Sequence, residues 1–245
     1  MQTNNPPTRD LVSQPPSRIS DPQSIAVTSI DDHLPAIALP RLTAQDVRER
    51  FRAPLPWTPE IAGDGQRFNP DRAPTPASVL VPLVMRSNGL HVMLTQRTDH
   101  LHDHPGQISF PGGRAESHDV DEVATALRET EEEVGLLRQH IEVIGCLPVY
   151  TTITGYVVTP VVALVQPHFT LALDSFEVAE AFEVPLPFLM TPAHHRRHAF
   201  EMRGQQRQFL SMPWQGPGPD GQGRTYFIWG ATAAMLRNLY HFLAA

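Results

Sequence analysis

The stretch Phe110-Pro-Gly-Gly-Arg-Ala-Glu-Ser-His-Asp-Val-Asp-Glu-Val-Ala-Thr-Ala-Leu-Arg-Glu-Thr-Glu-Glu-Glu-Val-Gly-Leu136 joins a glycine-rich turn to a strongly acidic helical pattern. Its second half predicts a helix over about residues 121–134, which Gly135 would end because glycine readily adopts the left-handed conformation of a helix C-terminus. Asp119 or Asp121 is expected to cap the other end. The small residues before the helix allow backbone groups to approach a metal ion or a phosphate group closely.

Four glutamates lie on one side of this predicted helix. At about 100° per residue, Glu122, Glu132 and Glu133 lie within about 60° of Glu129, and like charges so placed destabilise an isolated helix by about 0.2–0.5 kcal/mol per pair. A hard divalent cation such as Mg²⁺ converts this repulsion into chelation. A solvated acidic face is the alternative, but the glycine-rich turn favours the metal site. A separate stripe is predicted to be buried: Val123, Ala126, Leu127, Thr130 and Val134.

Composition excludes several classes of function. All 19 basic residues are arginine, so lysine Schiff-base chemistry and a P-loop lysine are excluded. The single cysteine, Cys146, excludes a disulfide within the chain and a multi-cysteine zinc site. The net charge of −7 argues against non-specific nucleic-acid binding. No apolar run approaches the roughly 18 residues that span a membrane, and the first twenty or so residues lack the apolar core of a secretory signal.

These observations predict a soluble, cytoplasmic protein with no nucleic-acid or membrane partner. A homodimer is left open. Thirteen of the 25 prolines lie in the first 76 residues, so residues 1–40 are predicted to be a disordered tail. Residues 41–74 are predicted to hold a short helix over residues 43–51 and a proline-rich linker, and residues 75–245 to form one compact domain.

Apolar periodicity and turn residues predict the elements of that domain. Residues 177–182 are expected to form a short helix stopped by Pro185 and Pro187. Residues 199–213 are expected to form a hairpin with Gly204 near its turn, and residues 231–243 a closing helix. Without regular βαβ alternation, the order of elements favours a mixed sheet with helices packed against it. The predicted strands cover residues 78–85, 91–95, 141–150, 156–165 and 225–229.

Two histidine clusters offer a zinc-binding alternative. Twelve histidines in one chain cluster by chance, and the acidic helix prefers harder ions than zinc. The zinc interpretation is therefore less favoured than the magnesium one. The clusters are His100, His102 and His104, and His194, His195 and His198.

The acidic stretch resembles the Nudix hydrolase signature G-x5-E-x7-R-E-U-x-E-E-x-G-U, in which U is aliphatic. The spacing from Gly113 to Arg128 is one residue longer than in the signature, so Asp119 stands where the loop glutamate would be, and Thr130 replaces the first aliphatic residue. The resemblance implies an α/β (α+β) fold, a Nudix-type α/β/α sandwich with a mixed central sheet. The matching residues are Gly113, Arg128, Glu129, Glu132, Glu133, Gly135 and Leu136.

Residues 93–113 are similar to the pattern L-L-T-x-R-[SA]-x-x-L-R-x-H-x-G-x-V-x-F-P-G-G of the coenzyme A pyrophosphatase branch of that superfamily. His102 replaces the second arginine of the pattern, and Thr98 replaces serine or alanine. With further matches at Glu177-Val-Ala-Glu180, Val184-Pro-Leu and Ile228-Trp-Gly-Ala-Thr, the two resemblances cover about residues 75–243 and imply that residues 75–245 form one Nudix hydrolase domain. They imply hydrolysis of coenzyme A, or of an acyl-CoA, to 3′,5′-ADP and 4′-phosphopantetheine or its acyl form, with Mg²⁺ or Mn²⁺ as cofactor. The residues in register are Leu94, Thr95, Arg97, Leu101, His104, Gly106 and residues 110–113.

The family chemistry implies roles for the acidic residues. Glu129 and Glu133 are the expected metal ligands, with Glu132 contributing, and a bound ion would polarise the phosphoryl group and lower the pKa of a bound water. The general base stays open between a carboxylate of the helix, with Glu129 and Glu132 as catalytic candidates, and a loop acid, Glu177 or Glu180.

Other residues are expected to hold the substrate or to orient the ligands. Arg128, four residues before Glu132, is expected to form an ion pair that orients this glutamate. Arg97 is a candidate phosphate clamp because guanidinium binds phosphate through two parallel hydrogen bonds. The predicted substrate-binding residues are Arg97, His104, Gly106, Gly112 and Gly113.

Two alternatives to coenzyme A hydrolysis stay open. The same chemistry could act on another nucleoside diphosphate compound, such as ADP-ribose or NADH. A non-catalytic, nucleotide-binding Nudix module is the other alternative, and it is less favoured because such modules typically lose the carboxylates that Glu129, Glu132 and Glu133 supply here.

Overall fold

A computed structural model describes residues 19, 21–65, 67–71, 73–101, 105–202 and 204–245. Within these ranges the chain forms four α-helices: α1 (Ala44–Arg52), α2 (Glu122–Val134), α3 (Leu186–Leu189) and α4 (Gly230–Ala244). The strands in the same ranges are β1 (Val27–Ile30), β2 (Thr75–Arg86), β3 (Gly89–Arg97), β4 (Ile108–Ser109), β5 (Gly112–Arg114), β6 (Ile141–Cys146), β7 (Tyr150–Thr151), β8 (Tyr156–Val165), β9 (Val178–Pro185), β10 (Arg196–Met202), β11 (Gln205–Pro217) and β12 (Gly223–Trp229).

The mixed sheet predicted from the sequence is confirmed. Its path runs β4-β3-β2-β8-β6, and β5 pairs with β2, β7 with β8 and β9 with β3. β2 and β8 are parallel, whereas the other pairs in this sheet are antiparallel. Because side chains alternate along a strand, Leu80 and Val161 pack with Ala126 of α2, whereas Leu83 and Val92 lie in the core on the other face.

A second, antiparallel sheet has the strand order β1-β10-β11-β12. The expected hairpin is confirmed, with Gly204 in the turn between β10 and β11. α4 packs against β11 and β12, and its Leu236 and Leu239 belong to the same core cluster as Leu83. α2 therefore covers one face of the central sheet, and α4 with the second sheet covers the other. In the described part of the chain, no helix is long and apolar enough to cross a membrane.

The segment from Asp21 to residue 40 belongs to the fold, so the prediction of a disordered tail is wrong for this part. β1 pairs with β10. Asp31, 2% exposed, accepts hydrogen bonds from Arg197 at 2.7 and 2.8 Å and lies 3.1 Å from Nη2 of the buried Arg237. Buried charges of this kind require a partner, and these partners lie far along the chain, where no local pattern indicates them. Residues 1–18 and 20 lie outside the described residues.

The predicted helix over residues 177–182 is also wrong. The chain there enters β9, which pairs antiparallel with β3. Alternate residues of β9 are buried, among them Val178, Phe182 and Val184, which is the period of a strand. The helix preference of the local Glu-Val-Ala-Glu sequence is weaker than this pairing and burial, because propensity is routinely overridden by tertiary contacts. The single strand expected over residues 141–150 is divided into β6 and β7.

Candidate active site

α2 is fixed at both ends and along one side. The Asp121 side chain caps it by accepting a hydrogen bond from the Ala124 N–H at 2.7 Å. Gly135 ends it in the left-handed conformation, with φ of 68°. Ala126, Thr130 and Val134 are fully buried, which confirms the centre of the predicted apolar stripe; Val123 and Leu127 are partly buried.

Glu133 carries a buried carboxylate, since the residue is 7% exposed. Its Oε2 accepts a hydrogen bond of 3.1 Å from the Gly112 N–H, and its Oε1 lies 3.9 Å from Nη1 of Arg97. Burial raises the pKa of Glu133 to about 7, and the negative charges of Glu129 and Glu177 act in the same direction. The Gly112 N–H and Arg97 only partly offset this effect, so the folded protein disfavours the charged form of Glu133.

Glu129 lies beside the glycine-rich strand β5. A Cβ atom at Gly113 would come within 2.4 Å of Oε2 of Glu129, so a glycine leaves the space that this carboxylate fills. Nη1 of Arg128 donates to Oε1 of Glu129 at 3.0 Å. Burial nevertheless raises the pKa of Glu129, and the charges of Glu132 and Glu177 contribute to the rise.

Arg128 connects the helix to the loop before it. Its Nε and Nη2 donate to the two carboxylate oxygens of Asp119 at 3.0 and 2.8 Å, and its Nη1 donates to Oε2 of Glu132 at 2.9 Å. The Arg128 hydrogen bonds lower the pKa of Asp119. Asp119 is therefore the partner that orients Arg128, a role that its spacing from α2 did not indicate. Glu132 is paired with Arg128 as expected, and its side chain is 61% exposed.

Arg97, at the end of β3, lies between two carboxylates. Its Nη1 is 3.9 Å from Glu133 and its Nη2 is 3.9 Å from Oε2 of Glu177. Both distances exceed a hydrogen bond, so the guanidinium retains donors for a ligand. The Thr98 N–H donates to the Glu177 carbonyl at 2.9 Å and fixes the Glu177 backbone beside β3. The structure thus brings together Glu129, Glu133, Glu177 and Arg97.

Glu180 is not brought to this site. It stands opposite Gln96 in the β3–β9 pairing, and Gln96 and its neighbour Arg97 point to opposite faces of the sheet. The Glu180 carboxylate accepts a hydrogen bond from the Tyr226 hydroxyl and lies 3.0 Å from Nη2 of Arg224. These contacts hold Glu180 against β12, on the side of the second sheet.

The glycines expected to bind substrate have different surroundings. Gly112 has φ of 149°, and a Cβ there would come within 2.4 Å of the Ser78 carbonyl oxygen; its N–H serves Glu133. Gly106 also has positive φ, 66°, and its carbonyl accepts a 3.4 Å hydrogen bond from Gln96. His104 lies outside the described residues.

Each histidine of the second cluster contacts a different main-chain carbonyl group. His194, His195 and His198 lie 2.8–2.9 Å from the carbonyl oxygens of Phe188, Leu189 and Ile25, and burial lowers the pKa of His195 to about 4. Across the residues that the structure describes, no three histidine, cysteine or acidic side chains surround one point as a finished metal site. The second histidine cluster therefore gains no support as a zinc site, and the glutamates of α2 would have to turn to share an ion.

A mixed sheet, a Gly-Gly strand and a following helix with paired glutamates define a hydrolase domain of the Nudix type. The model of the NUDIX domain matches residues 74–203. The Nudix hydrolase NudL of Enterobacter sp. (strain 638) is 38% identical over 164 residues, which cover 66% of this chain and 80% of the relative. NudL of Salmonella paratyphi B is 41% identical over 165 residues, with the same coverage. This chain belongs to the Nudix family, as the stretch from Phe110 to Leu136 predicts.

A solved Nudix hydrolase, RenU of M. smegmatis, aligns with a TM-score of 0.41 and 22% identity over 47% of this chain and 73% of its own. The family assignment depends on the sequence relatives and not on this likeness. Nudix hydrolases act on pyrophosphate bonds and generally use divalent metal ions. The names of the NudL relatives give the family and no substrate.

The substitution Glu133→Gln is expected to stabilise the metal-free protein at alkaline pH. A carboxyl whose pKa is raised on folding loses stability as pH rises from its unfolded value of 4.5 to its folded value of about 7. The neutral amide avoids this loss. The variant should therefore unfold with a free energy up to about 3 kcal/mol higher than the wild type at pH 8, and with no difference near pH 4.

Urea denaturation in EDTA, followed by circular dichroism across this pH range, measures the difference. Glu131→Gln is the matched control, because Glu131 is an exposed residue of the same helix, and it should follow the wild type at every pH. If the free energy of unfolding of Glu133→Gln depended on pH in the same way as that of the wild type, burial of the Glu133 carboxylate would not destabilise the protein.

Proposed function

We propose that this chain hydrolyses the diphosphate bond of coenzyme A, and of acyl-CoA, to 3′,5′-ADP and 4′-phosphopantetheine or its acyl form. The single observation that supports this best is the position of Arg97 between Glu133 and Glu177. Arg97 belongs to the motif of residues 93–113 that resembles the coenzyme A pyrophosphatase pattern, whereas Glu133 belongs to the Nudix signature. A phosphate-binding cation thus lies next to the carboxylates expected to act on that phosphate.

A divalent cation, Mg²⁺ or Mn²⁺, is the cofactor proposed for this site, with Glu129, Glu132 and Glu133 as its ligands. The donor set suits a hard ion, since these ligands are carboxylates. Burial raises the pKa values of Glu129 and Glu133 and so disfavours their charged forms, which a bound cation would favour. When bound, such an ion supplies Lewis-acid polarisation of a phosphoryl oxygen and lowers the pKa of a water.

The other residues of the site have separate roles in substrate binding, ligand orientation and proton transfer. Arg97 binds the diphosphate oxygens through guanidinium donors that lie beyond hydrogen-bond distance of Glu133 and Glu177. Arg128, fixed by Asp119, holds Glu129 and Glu132 in place. Glu177 accepts a proton from the attacking water, because its side chain is 43% exposed, close to Arg97, and not engaged as a ligand in this proposal.

The proposed substrate predicts a clear ranking of activities. With Mg²⁺ or Mn²⁺, kcat/KM for coenzyme A should exceed that for ADP-ribose and NADH by at least about tenfold, since one tenfold step corresponds to a modest recognition energy. Chromatography of the products with mass spectrometry in ¹⁸O water measures activity, the bond cleaved and the phosphorus attacked together. Coenzyme A cleaved no faster than ADP-ribose or NADH would contradict the assignment and favour another nucleoside diphosphate substrate.

Substitution of Glu177 and substitution of Glu180 are expected to change kcat by very different factors. Glu177→Gln should lower kcat by about 10²–10⁴-fold, the usual contribution of a general base. Glu180→Gln should lower it by less than about tenfold, because Glu180 is held by Tyr226 and Arg224 on the other side of the sheet. Steady-state kinetics with coenzyme A, with thermal unfolding to confirm that both variants fold, checks this. The reverse ranking of the two variants would remove Glu177 from the mechanism.

A further inference from the structure

Phe176 presents an aromatic ring to solvent beside the candidate active site. Its exposure is 64%, and among the exposed large apolar side chains that the structure describes it alone is aromatic. It directly precedes Glu177, whose carboxylate lies 3.9 Å from Arg97. A single exposed apolar side chain is common on protein surfaces, so the reason to consider this ring is its place next to Glu177 and the segment that carries Arg97.

The turn that carries Phe176 is held by hydrogen bonds and not by burial of the ring. The Phe176 N–H donates to Oδ1 of Asp174 at 2.9 Å, and the Glu177 N–H donates to the Asp174 carbonyl at 3.0 Å. The Thr98 hydroxyl donates to the Phe176 carbonyl at 2.7 Å. These bonds fix the main chain of the turn, and thus the attachment point of the ring, before any ligand arrives, which lowers the ordering cost of binding.

His100 contacts the ring from the side. The two ring centroids are 4.8 Å apart, with an angle of 61° between the planes, an edge-on geometry that limits the movement of the phenyl ring. Arg97, Thr98 and His100 belong to one short segment, so the guanidinium and the aromatic pair are carried by neighbouring residues. The Thr98 hydrogen bond and the His100 ring contact keep this segment beside Phe176.

We propose that Phe176, with His100 at its edge, is the surface on which the nucleobase of the substrate stacks. This inference rests on the proposed function in its general form, hydrolysis of a nucleoside diphosphate compound. A flat heteroaromatic ring gains stacking on an exposed phenyl ring, whereas a flexible aliphatic arm gains no comparable contact. Phe176 is thus a residue that determines specificity for the nucleotide half, and Glu177 beside it serves the chemistry.

Binding of adenosine 5′-monophosphate and of ribose 5-phosphate tests this directly, because neither probe has a diphosphate bond to hydrolyse. Calorimetry on the full chain should show that AMP binds the wild type more tightly than ribose 5-phosphate does. In Phe176→Ala, AMP should bind about tenfold more weakly, with binding of ribose 5-phosphate unchanged. Phe176→Tyr should restore AMP binding. Leu39→Ala, at another exposed apolar residue, is the control and should match the wild type.

Kinetics separates this inference from the proposed substrate. If coenzyme A is the substrate, Phe176→Ala should raise its KM about tenfold and leave kcat within about twofold. If coenzyme A is not cleaved but AMP binding still depends on Phe176, the inference stands and the substrate assignment fails. Equal AMP binding by the wild type and Phe176→Ala overturns the inference, and so does equal binding of AMP and ribose 5-phosphate by the wild type.

Discussion

The burial of the Glu133 carboxylate is the constraint on which the site depends. A backbone N–H and a guanidinium 3.9 Å away are its partners, and they do not offset the loss of hydration, so its pKa rises to about 7. Glu129 is raised for the same reason. Burial of these carboxylates lowers the stability of the folded protein, and binding of the proposed cation would restore it. Such a trade-off between stability and function is common at functional sites. Arg128 donates to Glu129 but also to Asp119 and Glu132, and the pKa of Glu129 stays raised.

The position of Glu133 follows from the antiparallel pairing of β5 with β2. A Cβ at Gly112 would lie 2.5 Å from the Val79 Cα and closer still to the Ser78 carbonyl, so a glycine is required for β5 to pair with β2 and present its N–H to α2. α2 in turn is held against the central sheet by Ala126, packed on Leu80 and Val161. The Gly-Gly sequence thus allows the backbone to come close to the carboxylates of Glu129 and Glu133. The sequence alone predicts such an approach to a metal ion or a phosphate group.

Local patterns are enough to predict α2 and the centre of its buried stripe, because helical periodicity appears within a dozen residues; they leave the cap open between Asp119 and Asp121, and the structure has Asp121. Paired motifs also identify the family. Features that depend on distant partners are not predictable in this way. The ion pairs of Asp31, the strand character of β9, the place of Glu180 and the contact of Phe176 with His100 are set by contacts between remote segments. For Glu180 the alternation along β3 fixes the face, but only the pairing with β9 shows which face that is.

Titration of Mn²⁺ into the metal-free full-length chain by calorimetry tests the central claim most directly. The account predicts uptake by the wild type, with a Kd raised at least about tenfold by Glu133→Gln, because removal of groups that support a metal site already costs about 10–100-fold in affinity. Glu131→Gln, on the exposed side of the same helix, should bind as the wild type does. The same Kd for all three proteins, or no uptake by the wild type, would contradict the account.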